Sequence, residues 1–283
     1  MTPNRWSDLS RPPLNQTALR RALLHEKHPL WTHLEVLDSV TSTNTELVSR
    51  TRAGEARPGT VLVAEEQTAG RGRLDRAWSA PARSGLFFSV LLRPHAAAER
   101  WGWIPLLAGV AAAGALARTA GVDTGLKWPN DILATGADEE RKIGGILAER
   151  VDDEHVVLGI GLNVTLREDE LPVPTAGSLA LAGAQGTDRD PILRAVLRAF
   201  EDWYGRWSAA DGDPASSDVL EAYAAGCVTL GRSVRAMLPG GEELLGEAVA
   251  VDGDGRLVIA SEQGVQRPVA AGDIVHLRPA TGK

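Results

Sequence analysis

Residues 142–164 read KIGGILAERVDDEHVVLGIGLNV. Two apolar runs flank a short acidic turn, DDE at 152–154, which is the pattern of a β-hairpin. The second run closes on GIGLNV, residues 159–164, and its glycines invite comparison with a dinucleotide-binding turn. Such a turn needs a third glycine at fixed spacing and leads from a strand into a helix. Here the third glycine is missing and the glycines end a strand, so a dinucleotide-binding fold is rejected. The first run carries Gly144 and Gly145 inside an apolar strand. Glycines there weaken a strand and mark where a ligand or another backbone comes close. Lys142, which opens the strand, can neutralise a carboxylate at that point, or serve only as an edge lysine that discourages pairing.

Upstream, NQTALRRALLHEKH predicts a short helix capped by Asn15 or Thr17, after a loose polar tail over 1–14. THLEVLDSV and GTVLVAEEQ read as strands, separated by a helix with Ser42 as N-cap and Gly54 as stop. SGLFFSVLLRP is an apolar strand ended by Pro94. The longest uncharged run, Trp101 to Ala117, is rich in Ala and Gly and interrupted by Pro105, so it predicts a buried helix rather than a membrane span. TGLKW and DILAT are two more strands. DPILRAVLRAFEDWYGRW is an amphipathic helix that Asp190 can cap, with Pro191 in its first turn. Its Ile192, Val196, Phe200, Trp203 and Trp207 recur at helical spacing and predict core packing. Beyond about Gly226 the pattern changes to short alternating runs separated by PGGEE, DGDG and EQG, the signature of a small all-β barrel. The implied organisation is a tail over 1–14, a main domain over 15–226 and a barrel over 227–283.

The 283-residue chain carries a net charge of −7, with a pI near 5.5. A generic nucleic-acid-coating protein leans the other way, because phosphate neutralisation dominates that binding. One cysteine, Cys227, excludes an intrachain disulfide framework and argues against a structural zinc site. The first sixteen residues show no secretory signal, and a cytoplasmic location is expected. Against this acidic background EEQTAGRGRLDRAWSAP, residues 65–81, sets three arginines between Gly70 and Arg76. Arginine forks match carboxylate and phosphate oxygens, and glycine lets the backbone approach a ligand. Three cations so close repel one another unless an anion is present, so a loop mobile when empty and ordered when filled is expected. The bland alternative is a solvated basic turn. LKWPNDIL, residues 126–133, forms a tight corner that displays Lys127, Asn130 and Asp131, since Pro129 denies a helix there. Side chains that only satisfy turn backbone are its alternative reading.

These stretches offer many anion binders and no nucleophile: there is no GxSxG, no Cys–His arrangement and no Walker A loop. Chemistry that needs charge neutralisation more than a protein base is carboxylate activation. The acid is already a nucleophile and must be held in line with an α-phosphate while cations shield the repulsion.

The order STN, EEQTAGRGR, KWPNDI, KIGGIL, GIGLNV and a terminal β barrel resembles the biotin–protein ligases, from about Val40 to the C-terminus. The resemblance implies an α+β fold, a mixed β-sheet with helices related to class II aminoacyl-tRNA synthetases, plus a C-terminal SH3-like barrel. It implies a reaction joining biotin to ATP, with Mg²⁺, to give biotinyl-5′-AMP. Biotin then passes to one lysine of a biotin carboxyl carrier protein domain. Biotin contacts are implied for Ser42, Thr43, Asn44, Gln67, Gly70, Arg71, Gly72, Arg73, Lys142, Gly144 and Gly145. Arg73, Arg76, Trp78, Lys127, Asn130 and Asn163 match positions around ATP, with Asn163 beside a phosphate-borne metal. The resemblance implies that Lys142 and Arg73 carry the activation, and Asp131 matches a carboxylate that helps the incoming lysine lose its proton. Asp75 departs from the glycine usual in the family, which bears on loop mobility. Only about 40 residues precede the shared region, so no DNA-binding domain, no DNA or membrane partner, and a monomer or homodimer are expected. A lipoate or octanoate ligase is the enzymatic alternative, and an RNA-binding module the non-enzymatic one.

Overall fold

In the computed structural model, which describes residues 10–136, 139–238, 240–270 and 272–277, a seven-stranded mixed sheet with helices is followed by a five-stranded antiparallel sheet of SH3-like form. The expected loose tail lies outside the described residues up to residue 9. Residues 11–14, by contrast, are pinned. Arg11 donates to Thr165 O at 2.9 Å and pairs with Glu170, and the Leu14 N–H meets the Glu65 carboxylate at 2.6 Å. Helix α1 (Gln16–Leu23) follows, with Asn15 rather than Thr17 as its cap.

Strands β1 (His33–Leu37) and β2 (Thr60–Ala64) run parallel, with helix α2 (Thr43–Arg52) between them in the chain. The Ser42 hydroxyl accepts from Thr45 N–H, and the chain leaves past Gly54 at φ +72°. Within the arginine segment a short ribbon pairs β3 (Gly70–Arg71) with β4 (Ala77–Trp78), which the sequence pattern does not announce. Then come β5 (Gly85–Leu92), α3 (Trp103–Ala120), β6 (Thr124–Lys127), β7 (Asp131–Ala134), β8 (Arg141–Arg150) and β9 (Val156–Asn163). The order across the sheet is β1-β2-β5-β9-β8-β7-β6, and the β8–β9 hairpin sits at its heart.

Successive strand residues face opposite sides. Phe88, Val90, Ile146 and Ile160 join the large core with α3 and α4 (Arg189–Ala209). Leu62, Leu91 and Val157 meet Leu47 of α2 in a smaller cluster. By length and composition α3, extended back to Ala98, could span a membrane. Its Ile104, Leu107, Ala108, Ala112 and Leu116 are instead fully buried in that core. Helix α4 begins earlier than the sequence suggests: Asp188, not Asp190, caps it by accepting from Asp190 N–H. Asp190 receives the Asn15 N–H instead, and the earlier start puts Arg189 in the first turn, where it pairs with buried Glu65 at 2.7 Å.

Helix α5 (Val219–Gly226), absent from the sequence reading, leads into β10 (Ser233–Met237), β11 (Glu243–Val251), β12 (Leu257–Ala260), β13 (Gln266–Val269) and β14 (Asp273–His276). The β11–β12 turn docks on the main sheet's helices. Gly253 O accepts from Arg100 and from the Trp103 indole, and Gly255 O accepts from the Trp128 indole at 3.0 Å. The Trp128 N–H also donates to Thr229 Oγ1. The KWPND corner is therefore fixed to the barrel at two points.

Candidate active site

The glycines of GIGLNV clear one face of the sheet. Gly159, Gly161 and Asn163 alternate onto that face of β9, and Gly145 and Leu147 of β8 stand opposite them, Gly145 paired with Gly161 and Leu147 with Gly159. A Cβ on Gly159 would sit 2.1 Å from Asn44 Oδ1. One on Gly145 or Gly161 would meet the Trp78 ring at 3.0 or 3.2 Å. The bare strands thus admit α2 and the arginine ribbon to within contact of the sheet. Gly144 points the other way, against the Leu162 side chain. The register slips beside Ile132 and Leu133, so Lys142 and Gly145 share the cleared face although they are three residues apart. Gly159→Ala is expected to displace Asn44 from its bonds to Ser89, Leu147 and Glu149 and lower stability by about 2 kcal/mol, as overpacking does. Chemical denaturation of the variant measures this.

Over this face lies a cavity of about 650 Å³. Among the residues expected at the site only Gly70 and Gly144 do not line it. Gly70 is pressed against the Trp78 carbonyl in the ribbon. At one end stand Ser42, Thr43 and Gln67, with Gln67 Oε1 accepting from Thr43 N–H at 2.8 Å. At the other end, Lys127 and Asn130 flank the corner, and Asn130 is tied by its own side chain to Ile146 O.

The cations are distributed unequally. Lys142 Nζ lies 2.5 Å from Asp131 Oδ1 and 5.6 Å from the centre of the Trp78 ring. Arg71 pairs with Glu149 at 2.9 Å, and Arg76 pairs with Asp273 of the barrel. Hydrogen bonding to Asp273 raises the pKa of Arg76. Arg73 differs: among the described residues it has no carboxylate in salt-bridge range, and reaches only Asn130 Oδ1 at 3.5 Å and Gly272 O at 3.4 Å. Burial lowers its pKa, while the charges of Asp131 and Asp273 act in the opposite sense. It still remains a cation, since a guanidinium is not deprotonated in proteins.

Among the described residues, two buried polar atoms of the cavity lining have no hydrogen-bond partner, Asn163 Oδ1 and Trp78 Nε1. Asn163 spends its amide N–H on Gly177 O. Leaving such atoms unsatisfied costs about 1–3 kcal/mol each, which a polar ligand can recover. Among the described residues no three His, Cys, Asp or Glu side chains could jointly hold a metal.

Sequence reasoning missed Glu149, Gly272, Asp273 and His276. Glu149 follows from alternation along β8 once the slip at its start is known. The other three enter from β14 and its approach, far along the chain, and no local signal marks them. Burial, with Lys127 and Arg232 nearby, pushes the His276 pKa down to about 4, so it is neutral at neutral pH. Its Nε2 meets Thr229 Oγ1 at 3.1 Å.

A cavity lined by Lys127, Lys142, Arg71, Arg73 and Arg76 suits a carboxylate-activating ligase, in which cations shield an acid and a phosphate from each other. The sequence profile of the biotin/lipoate A/B protein ligase family matches residues 36–163, and that of the biotin protein ligase C-terminal domain matches residues 229–277. The biotin–[acetyl-CoA-carboxylase] ligase of Mycobacterium tuberculosis is 41% identical over 275 residues, covering 96% of this chain and 98% of its own. The biotin protein ligase from Aquifex aeolicus in complex with biotin and ATP superposes with a TM-score of 0.70 at 28% identity, over 88% of this chain and all of that one. The Leishmania major biotin protein ligase in complex with biotinyl-5-AMP gives a TM-score of 0.57 at 25% identity, over 84% and 98%. The chain belongs to the biotin protein ligase family.

Proposed function

We propose that this protein activates biotin with ATP to biotinyl-5′-AMP and transfers the biotin to a lysine of the carrier domain of acetyl-CoA carboxylase. The observation that carries the site assignment is Arg73, a cation without a carboxylate partner among the described residues, beside the Lys142–Asp131 pair. The ureido ring is placed at the Ser42–Thr43–Gln67 end, where polar partners are available, and the carboxylate points to Lys142. When biotin arrives, Lys142 exchanges Asp131 for the biotin carboxylate. Arg73, Arg76 and Lys127 shield the phosphates, so the carboxylate oxygen can attack the α-phosphorus without the full cost of like-charge approach. The Trp78 ring and Asn130 are assigned to the nucleotide.

Exchange at Lys142 has a second effect. Asp131 loses its cation when biotin binds and, while Lys142 stays with the acyl carbonyl and phosphate oxygens of the adenylate, is left able to accept a proton from the incoming carrier lysine. The amine attacks the acyl carbonyl, AMP leaves with the electron pair of the broken acyl–phosphate bond, and the proton passes to Asp131. The orphaned Asn163 Oδ1 suits one coordination position of a Mg²⁺ carried chiefly by phosphates and water, since that ion takes few protein ligands. The metal, when bound, supplies charge neutralisation to the phosphates.

The test is ATP–pyrophosphate exchange with biotin, lipoate, octanoate or no acid. Exchange with biotin alone is expected, and exchange with lipoate or octanoate would overturn the choice of acid. Arg73→Ala is expected to weaken binding of the non-hydrolysable adenylate analogue by about 2 kcal/mol, roughly 30-fold, because charge-assisted bonds are lost. Titration calorimetry measures it, and an unchanged affinity would remove Arg73 from the site.

A further inference from the structure

Glu149 lies at the end of the cleared face, two residues beyond Leu147 on the same side of β8. Its two carboxylate oxygens serve different segments. One accepts from Asn44 Nδ2 at 2.7 Å, and the other accepts from Arg71 at 2.9 Å. Asn44 is only 3% exposed, and every polar atom of its side chain is spent on protein. Its amide also donates to Leu147 O at 3.2 Å, and its Oδ1 accepts from the Ser89 hydroxyl at 2.6 Å. The Ser89 oxygen lies 2.7 Å from Thr43 Oγ1. A hydroxyl has one proton. Given to Asn44 Oδ1, which has no hydrogen of its own, it leaves the Ser89 oxygen to accept from Thr43, whose single proton then goes to Ser89 at 2.7 Å rather than to Gln67 Oε1 at 3.2 Å. The bonds then run in one direction, from Thr43 through Ser89 and Asn44 to Glu149, and Arg71 meets that carboxylate from the loop side.

We propose that Glu149 is a positioning residue that couples the polar recognition end of the biotin site to the arginine ribbon. Asn44 acts as the relay between them rather than as a direct contact to the ligand. The inference rests on the reading of this cavity as the biotin site. A biotin ring held by Thr43 fixes the Thr43–Ser89–Asn44 chain. That chain fixes the Glu149 carboxylate, and the carboxylate holds Arg71 and the ribbon closed over the ligand. Such coupling is part of the binding energy of biotin, not of the attack on phosphorus, so its loss raises KM for biotin and leaves kcat nearly unchanged.

The experiment is a double-mutant cycle on the full chain with Glu149→Ala and Arg71→Ala, reading biotin Kd by calorimetry and exchange kinetics at saturating ATP. Glu149→Ala is expected to raise Kd and KM for biotin about tenfold, with kcat within threefold of wild type. The double variant is expected to bind like the weaker single variant, because both break one interaction. Glu149→Gln is isosteric, keeps an acceptor for Asn44 but loses the charge facing Arg71, and is expected to fall between. It carries the test if the alanine variant melts early. A change in Kd below threefold in both Glu149 variants, or effects of positions 71 and 149 that simply multiply, overturns the proposal. A wild-type protein that binds no biotin overturns the site reading itself, and the coupling with it.

Discussion

Lys142→Ala is expected to lower kcat/KM for biotin-dependent ATP–pyrophosphate exchange by about 10²–10³-fold, the usual cost of removing one charge-stabilising donor from an activation site. The biotin carboxylate must come within bonding distance of an α-phosphate. In the variant it does so beside Asp131, whose charge is no longer balanced at 2.5 Å. Loss of attraction and gain of repulsion therefore act together. The fold has little at stake: the Lys142 side chain is 35% exposed and Asp131 22% exposed, so their pair is largely screened by solvent and contributes little to stability. A melting temperature within a few degrees of wild type is expected alongside the kinetic loss. If the variant unfolds instead, Lys142 is a structural lysine, and the ammonium over the Trp78 ring is its main role. Lys142→Arg is not expected to rescue, because a planar fork cannot replace a compact ammonium at a site walled by Gly145 and Trp78.

Much of this site is local in sequence, and that part is legible. The β8–β9 hairpin follows from two apolar runs and an acidic turn. Ser42 reads as a cap because one side chain and one backbone N–H three residues on are all that a cap requires. The glycines of GIGLNV can be recognised as unsuited to a dinucleotide turn. What they clear space for, Asn44 and Trp78, is visible only when α2 and the ribbon are laid across the strands. Two kinds of feature escape. Glu149 is hidden by the slip at the start of β8, which breaks the alternation from Lys142 onward. Gly272, Asp273 and His276 depend on how the barrel docks, through Gly253 and Gly255 against Trp103 and Trp128, and no spacing within residues 227–283 encodes that contact. The competition between Asp188 and Asp190 for the cap of α4 is settled in the same way, by a buried partner far along the chain.

Asp131→Asn should separate the two half-reactions. Asparagine keeps the shape of the side chain and can still hydrogen-bond at the turn, but it cannot take a proton from the carrier lysine. A positioned general base contributes about 10²–10⁴-fold, so single-turnover transfer from bound biotinyl-5′-AMP to a carrier domain is expected to fall by at least about 10²-fold. Exchange should change by less than about tenfold, because Lys142 is released from its carboxylate partner and is no less able to receive biotin. Hydroxylamine provides the control. It is already an unprotonated nucleophile at neutral pH, so its capture of the bound adenylate should be nearly the same in wild type and variant, whereas the carrier lysine should be selectively slowed. Equal slowing of both nucleophiles would assign Asp131 to holding the adenylate in place. Slowing of neither would leave the lysine to lose its proton to solvent, and the exchange of Lys142 between Asp131 and biotin would then serve activation alone.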